Sequence, residues 1–180
     1  GSNVQAVGDP NGFKWGDHSI CMEGEAVGSF YGFLTDGIIK NEAELAEYQK
    51  NITSDSYGSG ASVGDFRFKD VNGDKVIDGN DRVILGNGFP TLNYGITVGA
   101  TYKDWDFSMA MNGVLGQEIF SYSAMRLSNM FASDDQTTVN VLKESYDAAF
   151  RNGEGSLPRL SLLDLNSNRR ASDAWVKNGD

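Results

Sequence analysis

From Leu92 to Tyr102 every even position is apolar (Leu92, Tyr94, Ile96, Val98, Ala100, Tyr102), and the odd positions between them are Asn, Gly, Thr, Gly and Thr. Successive side chains of an extended chain point to opposite faces, so this alternation gathers the apolar groups on one side of a strand. Past Lys103-Asp104 the pattern resumes with Phe107, Met109, Met111 and Leu115. Two alternating runs of about ten residues joined by a tight turn predict an antiparallel β-hairpin over about residues 91–116. Runs of that length match a transmembrane β-strand, and Tyr94, Tyr102 and Trp105 lie where an aromatic girdle would. A soluble sheet with one wet face has the same pattern, so alternation alone does not choose between them.

Upstream runs Asp70-Val71-Asn72-Gly73-Asp74-Lys75-Val76-Ile77-Asp78-Gly79-Asn80-Asp81. Counted from Asp70, side-chain oxygens fall at positions 1, 3, 5, 9 and 12, and position 7, Val76, needs only its carbonyl. That is the ligand schedule of a calcium loop. The carboxylates of Asp70, Asp74, Asp78 and Asp81 repel one another in so short a turn unless a hard cation takes up their oxygens. The expected metal ligands are Asp70, Asn72, Asp74, Val76, Asp78 and Asp81, and the expected cofactor is a structural Ca2+. Two positions depart from the pattern. Lys75 stands where glycine is usual, so its backbone is expected in the left-handed region at about 1 kcal/mol. Asp81 replaces a longer, bidentate Glu. The flanks, Gly64-Asp-Phe-Arg-Phe-Lys69 and Arg82 to Leu85, read as strands, so no EF-hand helix pair fits. An Asx-rich acidic turn that binds nothing is the competing reading.

At 180 residues the chain is long enough to bury a real core, and 39% hydrophobic residues exclude a disordered tail. Twenty-two glycines against three prolines imply short strands and many turns. A net charge of −10 without a Lys/Arg cluster argues against nucleic acid and anionic lipid as partners. Cys21 is single, so no internal disulfide forms. No run of 18 apolar residues occurs, so no membrane helix is expected; a membrane β-strand stays open. Gly1-Ser2 resembles a cleavage scar, and residues 3–180 are expected to be a single excised fragment domain.

Asn41, three residues before Glu44, predicts the start of a helix of about ten residues. Ser133-Asp134-Asp135-Gln136 predicts a second, running to about Phe150 with Val139, Leu142, Tyr146 and Ala149 on one stripe. Residues 154–174 read as irregular. The expected fold is therefore α+β and β-rich, with the hairpin, the calcium-type loop and two or three short helices. No catalytic constellation survives scrutiny. Gly60-Ala61-Ser62-Val63-Gly64 fits G-x-S-x-G but lacks the strand, helix and later His of a nucleophile elbow. With one His and one Cys, neither a zinc site nor a Cys/His pair is available, and the expectation is a non-enzyme.

Several stretches, in order, resemble the SusC/RagA-type, TonB-linked outer-membrane transporters. They are Val27-Gly-Ser-Phe-Tyr-Gly-Phe-Leu-Thr-Asp-Gly-Ile38, Gly64 to Asp74 with Ile77-Asp78, Asp81-Arg82 and Leu85-Gly86-Asn87, then Tyr94-Gly95 and Tyr102 to Ser108. Pro158-Arg159 and Trp175 to Gly179 resemble the approach to a further barrel strand. The resemblance implies a large transmembrane β-barrel as parent, importing glycans or peptides with TonB, beneath a surface lipoprotein similar to SusD. Short barrel turns face the periplasm, so Lys103-Asp104 is expected there and the acidic loop outside. Two strands cannot close a barrel, so the apolar face is expected to be covered by the chain's own helices or by a second copy in a homodimer. A calcium-braced carbohydrate-binding or adhesion module, with Trp15, Tyr31 and Tyr57 stacking on sugars, is the alternative.

Overall fold

The computed structural model describes residues 12–128, 139–151 and 155–179. Strands β1 (Phe13–Trp15), β2 (Ser19–Cys21), β3 (Ser29–Gly32) and β4 (Thr35–Ile38) lead into helix α1 (Glu42–Asn51). Strand β5 (Phe66–Phe68) precedes the acidic loop and β6 (Val83–Gly86) follows it. Then come the long strands β7 (Leu92–Tyr102) and β8 (Trp105–Leu115), β9 (Glu118–Phe120), helices α2 (Tyr122–Leu127) and α3 (Val139–Phe150), and β10 (Val176–Asn178). The strands form one sheet in the order β1-β2-β3-β6 and three two-stranded ribbons, β4-β5, β7-β8 and β9-β10, all antiparallel. No closed barrel occurs among the described residues. Among the described residues the fold is β-rich α+β with three α-helices, as the sequence predicts.

Helix α1 starts where its cap dictates. Asn41 Oδ1 accepts from the Glu44 backbone N–H at 2.9 Å, and Glu44 Oε2 accepts from the Lys40 N–H at 3.0 Å. Glu42 and Glu44 lie at the positive end of the helix and Lys50 in its last turn, both favourable to the dipole. The cap of α3 proposed at Ser133–Gln136 lies outside the described residues, and the helix ends at Phe150 as the sequence predicts.

The core joins Phe33, Ile39, Tyr48, Phe66, Phe68, Ile77, Met125 and Trp175. Phe66 and Phe68 project from β5 to the same side, and Trp175 meets Phe66 edge-on at 5.7 Å between centroids. Tyr48 is the buried residue of α1, and its Oη accepts from the Phe68 N–H at 3.3 Å. Gly58, at φ +94°, must be glycine here: a Cβ would lie 2.5 Å from Tyr48 Oη. Burial pushes the Tyr48 pKa up from 10.0 to about 12. The folded state therefore holds this proton more tightly than the unfolded chain, and the contribution is complete below pH 10 and lost as pH rises to 12. At 1.36 kcal/mol per pKa unit, the shift predicts a loss of roughly 2–3 kcal/mol across that window. Urea titrations at pH 9 and 12 check it, with Tyr48→Phe expected to flatten the slope.

Residues 158–172 contain no helix or strand, yet they are among the most buried polar parts of the molecule. Asn168 Oδ1 accepts from the Phe66 N–H at 3.0 Å, and Asn166 Nδ2 donates to the Phe66 carbonyl at 2.9 Å. The two amide side chains thus take the place of a neighbouring strand at the edge of β5. Asp65, fully buried, accepts from Asn168 Nδ2 at 2.9 Å, Arg159 Nε at 2.8 Å and the Ser62 N–H at 2.8 Å. Every bond in this seam satisfies a group that would otherwise be buried unpaired.

The hairpin is present, and Lys103, at φ +54°, turns the corner. Among the described residues, the chain's own helices do not cover it. Every residue of β7 is exposed, and every residue of β8 except Gly113. The ribbon joins the body at its base: the Thr91 N–H donates to Leu115 O at 2.9 Å, and the Asn87 N–H to Glu118 Oε2 at 2.9 Å. The helices are engaged elsewhere. Tyr48 of α1 and Met125 of α2 enter the core, while the α3 stripe is itself exposed, Val139 at 79% and Tyr146 at 59%.

Candidate functional site

The acidic loop is built by its own backbone. Asp70 Oδ1 accepts from the Gly73 N–H at 2.6 Å and its Oδ2 from the Lys75 N–H at 2.7 Å. Asn72 Oδ1 accepts from the Asp74 N–H at 2.9 Å, and Asp74 Oδ1 from the Val76 N–H at 2.7 Å. Lys75 adopts φ +67°, the left-handed conformation expected of it. Ile77 is fully buried, and its N–H donates to Ser56 Oγ at 3.1 Å, which docks the loop on the core.

Asp78 caps a 3-10 turn over Gly79–Asp81, its Oδ1 accepting from the Asn80 N–H at 2.7 Å. Asp81 is fully buried and closes the loop: Oδ1 accepts from the N–H groups of Val71 (2.8 Å) and Asn72 (3.3 Å), Oδ2 from that of Asp78 (2.8 Å). Six predicted ligands are thus drawn into one turn. The side chains of the five polar ones accept from backbone N–H groups, and among the described residues no three acidic, His or Cys side chains form a group that could hold a metal ion. The N–H dipoles offset part of the charge repulsion that a cation would otherwise have to remove.

The register of the ribbon sorts its side chains by face. Leu92 faces Leu115, Ile96 faces Met111, Val98 faces Met109, Ala100 faces Phe107 and Tyr102 faces Trp105, all on one side. Tyr94 faces Gly113 there and lays its ring over it, so that a Cβ on Gly113 would come within 2.5 Å of the phenol oxygen. The opposite side carries Asn93, Gly95, Thr97, Gly99 and Thr101 against Val114, Asn112, Ala110, Ser108 and Asp106. One face is wholly apolar with aromatic rings toward both ends, and the other is small and largely polar. Alternation of that kind separates lipid from lumen in a membrane barrel.

TonB-dependent receptor P3 of Formosa agariphila is 29% identical to the chain over 132 residues, which is 73% of the chain and 13% of the receptor. The chain is related in sequence to TonB-dependent receptors. TonB-dependent receptors P26 and P39 of the same organism are 30% and 26% identical over 64% and 66% of the chain. The chain spans only 11–14% of the length of these TonB-dependent receptors. No protein-family model matches it.

Two of the aromatic residues of the sugar-stacking alternative, Tyr31 and Tyr57, carry arginine groups against their rings. Tyr57 packs edge-on against Phe33 at 5.9 Å and has the Arg170 guanidinium 3.4 Å from its ring centre. The Arg82 guanidinium lies 4.6 Å over Tyr31. The side chain of Trp15 lies outside what the structure describes.

Proposed function

We propose that the chain is a strand pair, with the loop region mounted on it, from the outer-membrane barrel of a TonB-dependent nutrient importer of the SusC/RagA type. The single observation that carries this is the two-faced ribbon: eleven residues per strand, one side apolar and the other side small and largely polar. The region has no chemistry of its own on this reading. Lys103-Asp104 faces the periplasm and the acidic loop the exterior, TonB supplies energy, a SusD-like lipoprotein caps the parent, and the cargo is a glycan or peptide. In water, a second copy is the expected cover for the bare ribbon.

A substitution on the apolar face tests the membrane assignment. Val98→Arg is expected to destabilise the parent barrel in a bilayer by about 2–4 kcal/mol. In the isolated chain, where Val98 already meets water, the same change stays within about 0.5 kcal/mol. Equal effects in the two settings overturn the assignment.

On the same reading, the acidic loop holds a structural Ca2+ through Asp70, Asn72, Asp74, the Val76 carbonyl, Asp78 and Asp81. What supports it is the all-oxygen donor set at calcium-loop spacing and the left-handed Lys75 at the sharp turn. When bound, the ion would brace an extracellular loop. Calorimetric titration is expected to give saturable heat with a dissociation constant of about 0.1–1 mM, the range of extracellular modules. Asp74→Asn, which keeps the acceptor for the Val76 N–H but removes one charge and the bond from Asn72 Nδ2, is expected to weaken it. No heat at millimolar calcium removes the site.

A further inference from the structure

Between the small sheet and the irregular segment 158–172 lies a cleft of about 820 Å3 whose walls include Arg82, Arg126, Arg169 and Arg170 together with His18 and Tyr122. The chain as a whole carries −10, so this is a local reversal of sign. Asp17 and Asp164 also line it. Asp164 is spent internally: its carboxylate accepts from the Asn168 N–H at 2.8 Å and the Arg169 N–H at 3.3 Å. Asp17 meets Arg82 through its backbone carbonyl, which Arg82 Nη2 reaches along with Tyr31 O at 3.0 Å.

Two of these guanidinium groups are held rigidly. Arg82 lies against the Tyr31 ring, and Arg170 lies against the Tyr57 ring with Nη2 3.4 Å from Ser167 Oγ. Their Nε–H groups are buried, and neither finds an acceptor among the described residues. A buried donor on a cation is costly to leave unpaired. Burial pulls the Arg82 pKa below its ordinary value, and the charge of Arg170 adds to that pull against Tyr31 and Asp17. Both guanidinium groups line the cleft and lie 5.8 and 5.9 Å from the Phe33 ring centre, so an anion bound in the cleft offsets both charges. The planar fork of arginine suits carboxylate, sulfate and phosphate oxygens in particular.

We propose that this cleft is an oxyanion-binding site, taking a carboxylate, sulfate or phosphate group of a ligand on the guanidinium groups of Arg82 and Arg170 that line it. The site does not depend on the transporter reading and stands or falls by direct binding.

Sodium sulfate, inorganic phosphate and sodium acetate are titrated separately into the chain, with ionic strength held constant by sodium chloride. Saturable binding at one site by any of the three, with the Nε–H NMR signals of Arg82 and Arg170 moving, is the expected result. The order of the three tells a tetrahedral ligand group from a planar one. Arg170→Gln is expected to weaken binding by about tenfold or more, and Arg170→Lys, which keeps charge without the fork, restores only part. Arg151→Gln, just past the end of α3 and outside the cleft, leaves it unchanged. The proposal is overturned by a response no larger than chloride gives, by arginine Nε–H signals that do not move, or by full binding in Arg170→Gln. The NMR arm uses the unaltered chain, so it decides even if a variant fails to fold.

Discussion

Replacing Asp65 with alanine is expected to lower the unfolding free energy by about 3–5 kcal/mol, the range for breaking a buried ion pair by removing one partner. The carboxylate has no exposure and binds three groups at once: the Arg159 guanidinium, the Asn168 amide and the Ser62 N–H. Alanine leaves all three without their acceptor and loosens Asn168 from β5. Urea unfolding is the measurement, with a lower midpoint and an unchanged slope as the expected signature. Asp65→Asn, which keeps shape and one acceptor oxygen, is expected to fall between alanine and the natural residue. A loss under about 1 kcal/mol for alanine would show that water replaces the partners freely.

The same carboxylate has an unusual pH signature. Burial raises its pKa above 3.8, against the opposing pull of Asn168, Arg159 and the Ser62 N–H. Between 3.8 and the folded value the native state binds more protons than the unfolded chain. The contribution of Asp65 to stability therefore grows as pH falls through that window, and acid unfolding must be driven by other groups.

Trp175→Ala is the second large effect, expected at about 3–5 kcal/mol. Trp175 is 1% exposed, packs on Phe66 and donates Nε1–H to Arg170 O at 3.1 Å. Its own carbonyl accepts from the Ser121 N–H at 2.8 Å, so it seats the start of α2 as well. Trp175→Phe preserves the ring contact and is expected to recover more than half of the loss. Equal losses for alanine and phenylalanine would place the energy in the indole hydrogen bond rather than in the buried volume.

What could be read from the sequence was what is local. The ribbon follows from a period that repeats in consecutive residues, and α1 follows from Asn41 and Glu44. Lys75 was legible because a turn with that spacing needs a left-handed residue at one position. The misses all involve partners far along the chain. Strand β9 spans three residues and exists because β10, more than fifty positions later, pairs with it. Asn166 and Asn168 sit in a stretch rich in Asn, Ser and Arg that reads as a surface loop; nothing local tells that β5 lacks a neighbour there. The spacing marks Asp81 as a candidate metal ligand but does not show its burial or its three N–H donors, which make it the clasp of the loop and depend on how residues ten apart meet. The arginine cleft was invisible for the same reason, since Arg82 lies more than forty positions before the other three.

The seam through Asp65 and Asn168 has a kinetic counterpart. Its bonds span 102 and 103 residues, whereas Tyr102 and Trp105 meet across a two-residue turn. Closing a loop of about 100 residues sacrifices about 4 kcal/mol of chain entropy before any contact rewards it. A hairpin zips in about 1–10 μs. Refolding of this molecule is thus divided between a quick event and a slow one: the ribbon can flicker into register alone, while the body waits for the far end of the chain to arrive.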